Sequence, residues 1–169
     1  MDRSGNAATL AIGAIEIAKY RLNVTVAAQG LIAAPLDRDV TFVATSASGT
    51  VLNTWTLPVS FGAGQGVTSL EAIPDDTAFL SAKTPWTLRT RLAVSFDPGG
   101  DGSVSFTGSS RLRGGDFNGN NLVNLVDFNI LQASFNATAS VPDISGDGQV
   151  NLTDFNILNA NWLVAGDPP

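Results

Sequence analysis

Two stretches of this 169-residue chain carry oxygen-bearing side chains at a repeated spacing. Residues 116–131 read DFNGNNLVNLVDFNIL and residues 143–158 read DISGDGQVNLTDFNIL. The second copy starts 27 positions after the first and repeats ten of its sixteen residues, which marks a tandem duplication. In each copy the donors fall at positions 1, 3, 5, 9 and 12 of a twelve-residue loop. They are Asp116, Asn118, Asn120, Asn124 and Asp127 in the first copy, and Asp143, Ser145, Asp147, Asn151 and Asp154 in the second. Position 7, Leu122 or Gln149, would offer its backbone carbonyl. Calcium takes six to eight hard oxygen ligands at about 2.3–2.6 Å, and a loop wrapped around the ion delivers them at this spacing. Position 6 must turn sharply; Gly148 fills it in copy two, and Asn121, the next-best residue for positive φ, in copy one. One such string alone would read as a polar turn. Two aligned copies, each closing on Asp and running into the same apolar segment, favour the cation.

Composition narrows the chemistry further. The chain has no cysteine and no histidine, so thiolate and imidazole metal sites, disulfides and the Ser–His and Cys–His nucleophile pairs are all excluded. The net charge of −6 belongs to one region. All nine basic residues and nine of the fifteen acids lie within residues 1–113. Residues 114–169 hold Asp116, Asp127, Asp143, Asp147, Asp154 and Asp167 with no Lys or Arg. Such a segment does not bind nucleic acid through phosphates; it invites a cation. Two calcium sites are therefore expected. Copy two, with three carboxylates against two, is expected to bind the more tightly.

These loops need elements to hold them. Each runs into an apolar stripe at helical spacing, Phe128, Leu131 and Phe135 or Phe155, Leu158 and Trp162, read as core-facing helix surface. Asp127 and Asp154 then sit in the first helical turn, where the helix dipole favours anions. Val123 and Val150, at position 8, are expected to pair the loops back to back. Upstream the texture differs. About seven short alternating segments, residues 20–27, 39–44, 51–57, 67–73, 77–82, 86–96 and 103–108, are separated by Gly- and Asp-rich turns, the profile of a β-sandwich. Residues 8–18 fit neither a helical nor a strand period. The expected organisation is a β-sandwich over 1–113 and a small all-α calcium-loop module over 114–169. No span reaches the roughly 20 apolar residues of a membrane helix. Residues 1–5 show no basic stretch leading into an apolar run, so no leader is read there.

The duplicated loops resemble the type I dockerin family, whose copies look like D-x-N-x-D-G-x-V-N-x-x-D-x-x-x-L. Copy two matches almost throughout, and copy one departs at Asn120 and Asn121. The resemblance covers residues 114–169. It implies EF-hand-like calcium loops in a secreted or cell-surface bacterial protein, docking onto cohesin modules that assemble polysaccharide-degrading enzymes. Partner choice in that family leans on positions 10 and 11, often Ser-Thr. Here they are Leu125-Val126 and Leu152-Thr153. That apolar face has two candidate occupants, a cohesin-like or other cell-surface protein, or the chain's own β-domain. The upstream region more weakly resembles immunoglobulin- or transthyretin-like domains. No catalytic residue is assigned. Among the acids of the β-region only Asp75, Asp76, Asp97 and Asp101 cluster, in turns, where glycoside hydrolysis would need two carboxylates facing a cleft. The preferred reading is a non-catalytic assembly or adhesion module. The alternative is an accessory carbohydrate-binding region of an extracellular polysaccharide-degrading enzyme, with Trp55, Trp86 and Trp162 as candidate sugar platforms.

Overall fold

The computed structural model describes residues 20–32, 36–138 and 142–169. The ambiguous 8–18 segment lies outside them. Seven strands come first: β1 Arg21–Ala27, β2 Leu36–Thr45, β3 Val51–Phe61, β4 Gln65–Leu70, β5 Phe79–Lys83, β6 Thr90–Ala93 and β7 Asp101–Phe106. They form a three-stranded sheet ordered β4-β1-β7 and a four-stranded sheet ordered β3-β2-β5-β6. Neighbours pair antiparallel except β1 and β7, which run parallel in register from Arg21↔Asp101 to Val26↔Phe106.

Alternation builds this sandwich. In β1, Leu22, Val24 and Val26 are fully buried while Arg21 and Asn23 face water, the period-2 pattern of a half-buried strand. Val40 and Phe42 of β2 meet them from the other sheet, with Phe61, Leu80 and Phe106 completing the centre. β3 extends past residue 57 to bury Val59 and Phe61. Its Pro58 is tolerated because β3 is an edge strand, where a missing N–H leaves no ladder bond broken.

Residues 86–96 do not form one strand: only Thr90–Ala93 pairs with β5. Thr87 instead bridges Gly114, and Leu88 and Trp86 turn into a second cluster with Phe117, Val123, Leu131, Ile144, Val150, Ile157 and Leu158. After a 3-10 turn at Gly108–Ser110, two nine-residue helices follow, α1 Leu125–Ala133 and α2 Leu152–Ala160. The expectation of an all-α, EF-hand-like module needs correcting. Outside the two helices this region is loop and isolated β-bridge, and among the described residues neither loop is entered by a helix. Each unit is a loop leading into a helix. Both helices stop before Phe135 and Trp162, which are 40% and 39% exposed instead of lying in the core. Leu131 and Leu158 carry the burial, with Phe128 and Phe155 half-buried and packed edge-on at 6.2 Å between ring centroids.

Candidate functional site

Each loop is folded around its carboxylates. Asp127, at position 12, is fully buried; its Oδ1 accepts the N–H groups of Phe117 and Asn118 at 2.8 and 3.1 Å, and its Oδ2 that of Asn124 at 2.9 Å. Asp154 repeats this on Ser145 and Asn151, both at 2.9 Å. Position 12 thereby clamps positions 3 and 9. At position 1, Asp116 and Asp143 accept the N–H of position 6, from Asn121 and Gly148 respectively, each at 2.9 Å. Both position-6 residues hold positive φ, 68° and 90°. In copy two, Ser145 Oγ donates to Asp143, and Asn151 Nδ2 donates to Asp147 and to the Gln149 carbonyl. All six expected residues of copy two therefore belong to one hydrogen-bonded ring. In copy one, Asn118 and Asn120 accept the N–H groups two residues on, from Asn120 and Leu122.

Asn124 and Asn151 have a role the sequence reading missed. Each caps its helix, accepting from Val126 N at 2.8 Å and Thr153 N at 2.7 Å, with Asp127 or Asp154 closing the capping box. The signal was present as Asn-x-x-Asp ahead of an apolar run. Among the described residues no three carboxylates gather into a ready-made cluster. Any ion here would draw on amide, hydroxyl and carbonyl oxygens as well. One atom does fit a cation: Asp116 Oδ1 is buried and has no hydrogen-bond partner.

Val123 and Val150 share the second core, but the backbones of the two loops do not pair with each other there. Each pairs with the tail behind the other copy's helix. Val123 exchanges backbone bonds with Leu163 and Val164, and Val150 with Asn136 and Ala137, positions related by the same 27-residue offset. Leu122↔Ala165 and Thr138↔Gln149 complete the exchange. The result is a pseudo-two-fold unit in which each loop is closed by the other copy.

This unit is seated on the sandwich. Ser145 carbonyl accepts Ile32 N–H, Asn161 Nδ2 donates to Gln29 Oε1 at 2.8 Å, and Asn121 Oδ1 accepts Arg89 N–H at 2.8 Å. Asp167 accepts Arg91 N–H. Lys83, the last residue of β5, pairs with Asp116 and reaches the Gly119 carbonyl at 3.3 Å. Nothing in the local spacing of the loops pointed to Lys83, which lies 33 residues upstream of Asp116. Burial pushes the Arg38 and Arg89 guanidinium pKa values below the ordinary arginine value, with nearby Asp143 partly opposing this at Arg38. Of the two candidate occupants of the apolar face, the β-domain does not cover it. Leu125, Val126 and Leu152 are 61%, 51% and 65% exposed. Seating uses the loop edges and tails, leaving free an apolar groove lined by Phe128, Leu131, Gln132, Phe135, Leu152 and Phe155.

No family model and no curated protein matches the chain. Solved structures do. Two crystal structures of interface mutants of a type II cohesin–X–dockerin complex from Acetivibrio cellulolyticus each contain a chain with this fold. Their TM-scores are 0.63 and 0.62 and their identities 16% and 13%; each match covers 87% of this chain and 97% of the other. At that identity the likeness is one of fold: a two-sheet β-sandwich with few helices. Its extent takes it past the sandwich, which is little more than half of the 169 residues.

Proposed function

We propose that residues 114–169 are a calcium-stabilised, dockerin-like docking module, carried on the immunoglobulin- or transthyretin-like sandwich of residues 1–113 in a secreted or cell-surface bacterial protein. The observation that carries this reading is the repeated apolar face. Leu125 and Leu152 occupy the same position at the start of two related helices, and both are exposed. Exposed apolar side chains at matched positions, one of them lining an apolar groove with Phe128, Phe135 and Phe155, are the mark of a protein interface. The solved complexes that share the fold join a cohesin to a dockerin, which supports a cohesin-like partner. Calcium at the two loops, tighter at the second, would draw on Asp143, Ser145, Asp147, the Gln149 carbonyl, Asn151 and Asp154. In the first loop it would draw on Asp116, Asn118, Asn120, the Leu122 carbonyl, Asn124 and Asp127. No helix among the described residues is long and apolar enough to cross a membrane.

A non-catalytic role suits the acids of the sandwich. Asp97 accepts N–H groups of Gly99 and Asp101 within its turn, and Asp101 pairs with Arg21 at 3.2 Å. The carbohydrate-binding alternative has less to rest on. Arg38 lies over the Trp86 ring at 4.5 Å and Trp55 packs against the sandwich core, leaving Trp162 as the exposed platform.

Calorimetric titration of the chain with a type II cohesin, in calcium and in EDTA, tests the reading. Calcium-dependent binding that disappears in the Leu125→Asp/Leu152→Asp variant is expected. Binding of a dockerin-type domain instead would move the interface to the sandwich, and glycan-array binding lost on Trp162→Ala would favour the carbohydrate alternative.

A further inference from the structure

The geometry points to Lys83 as a built-in cation of the first loop, a sandwich residue whose ammonium competes with calcium for Asp116 and makes the second loop the chain's principal calcium site. This inference rests on the calcium reading above and concerns how that reading divides between the two loops. Asp116 is fully buried, and a carboxylate taken out of water needs an opposite charge or several donors to remain ionised. Lys83 supplies the charge. Its side chain is only 12% exposed, and its backbone is fixed by the β2–β5 register at Thr41↔Lys83. The ammonium is therefore delivered by a sheet and not by a loose surface arm. It contacts two oxygens of the loop, the position-1 carboxylate and the position-4 carbonyl of Gly119.

The second loop has no such guest. Asp143 is held by Gly146 N–H, Gly148 N–H and the Ser145 hydroxyl. The cation that acts on it, Arg38, is stacked on Trp86. Among the described residues the ion pairs are Arg21–Asp101 and Lys83–Asp116. The substitutions in copy one agree with this division. Asn120 stands where copy two has Asp147, so the first loop carries two carboxylates, and the ammonium cancels one of them. Calcium entering the first loop must displace Lys83 or share Asp116 with it. In its absence Lys83 still latches the loop to β5.

Competition with a chromophoric chelator, run on the whole chain, measures the affinity of both loops. The wild type is expected to bind one calcium tightly, and Asp154→Ala to abolish that tight binding. Lys83→Met should tighten the first loop by roughly tenfold or more, as expected on removing an opposing unit charge from a cation site. It should also enlarge the calcium-dependent rise in Tm. Lys83→Gln, which keeps a hydrogen-bond donor for Asp116, carries the test if Lys83→Met does not fold in EDTA. Combining Lys83→Gln with Asp154→Ala should restore binding of one calcium. Comparable affinities at both loops of the wild type, or a first-loop affinity unmoved by either Lys83 substitution, would overturn the role of Lys83 and leave the calcium reading intact. No calcium binding by any variant would remove both.

Discussion

Asp127 and Asp154 illustrate how a residue read as a ligand is first a structural clamp. Each lies at position N3 of its helix and accepts backbone donors from its own loop, three for Asp127 and two for Asp154. Removing a buried acceptor leaves each donor to bear its own desolvation cost. Asp127→Ala is therefore expected to destabilise the chain by about 2–4 kcal/mol in urea unfolding, with calcium chelated throughout. Asp127→Asn, keeping one acceptor oxygen, should lose less. Equal stability of Asp127→Ala and wild type in EDTA would show that the carboxylate matters only to an ion. That these residues fold together in one loop was legible in the sequence because duplication made the spacing stand out. Lys83 was not, because its place beside Asp116 comes from sheet register and the return of the chain, and neither leaves a mark in local spacing.

At the scale of elements, periodicity predicted existence better than extent. β1 follows its alternation because one face is buried and the other is wet, and β2 does so as far as Phe42, beyond which both faces are buried. The 86–96 segment alternates too, yet Leu88 serves the second core and Thr87 bridges Gly114, so tertiary contacts outbid the strand pattern at its start. The helices were overrun for a related reason. Phe135 and Trp162 continue a helical spacing, but the chain has left the helix by Ser134 and Asn161 and heads into Asn136 or Leu163 at positive φ, 68° and 58°. The helix starts are better determined, through Asn124 and Asn151. Asn151→Ala is expected to cost about 1 kcal/mol, the usual value of an N-cap, while Asn151→Ser, which can still accept from Thr153 N–H, should cost less. Thermal melts in EDTA and in calcium separate the two roles of Asn151. A loss of equal size in both conditions identifies a cap alone, and a larger loss in calcium adds a ligand role.

Across the whole molecule, the exchanged bridges and the seating on the sandwich make the C-terminal region hard to unfold piecemeal. Its core includes Leu88 from the sandwich half of the chain, and its loops are closed by each other's tails. Calcium that binds only the folded loops adds stability of about 2.7 kcal/mol per site at a hundredfold excess over Kd. Because the two regions share contacts, that gain should raise the melting of the sandwich as well, in one calorimetric transition. The two regions are also tightly packed at Gly30, where φ is +74° and an added Cβ would run into the Ile157 side chain. Gly30→Val combines a backbone conformation that branched residues avoid with overpacking, at a cost of roughly 1–3 kcal/mol. The strain falls on the seam and on the edge of the second core, to which Ile157 of α2 belongs, and spares the sandwich core, since Gly30 lies beyond β1. Calorimetry of Gly30→Val should then resolve two transitions, the lower moving with calcium and the upper indifferent to it. A single transition that still shifts as a whole with calcium would mean that the hydrogen bonds of Asn161, Asn121 and Asp167 and the Lys83–Asp116 pair hold the seam without Gly30.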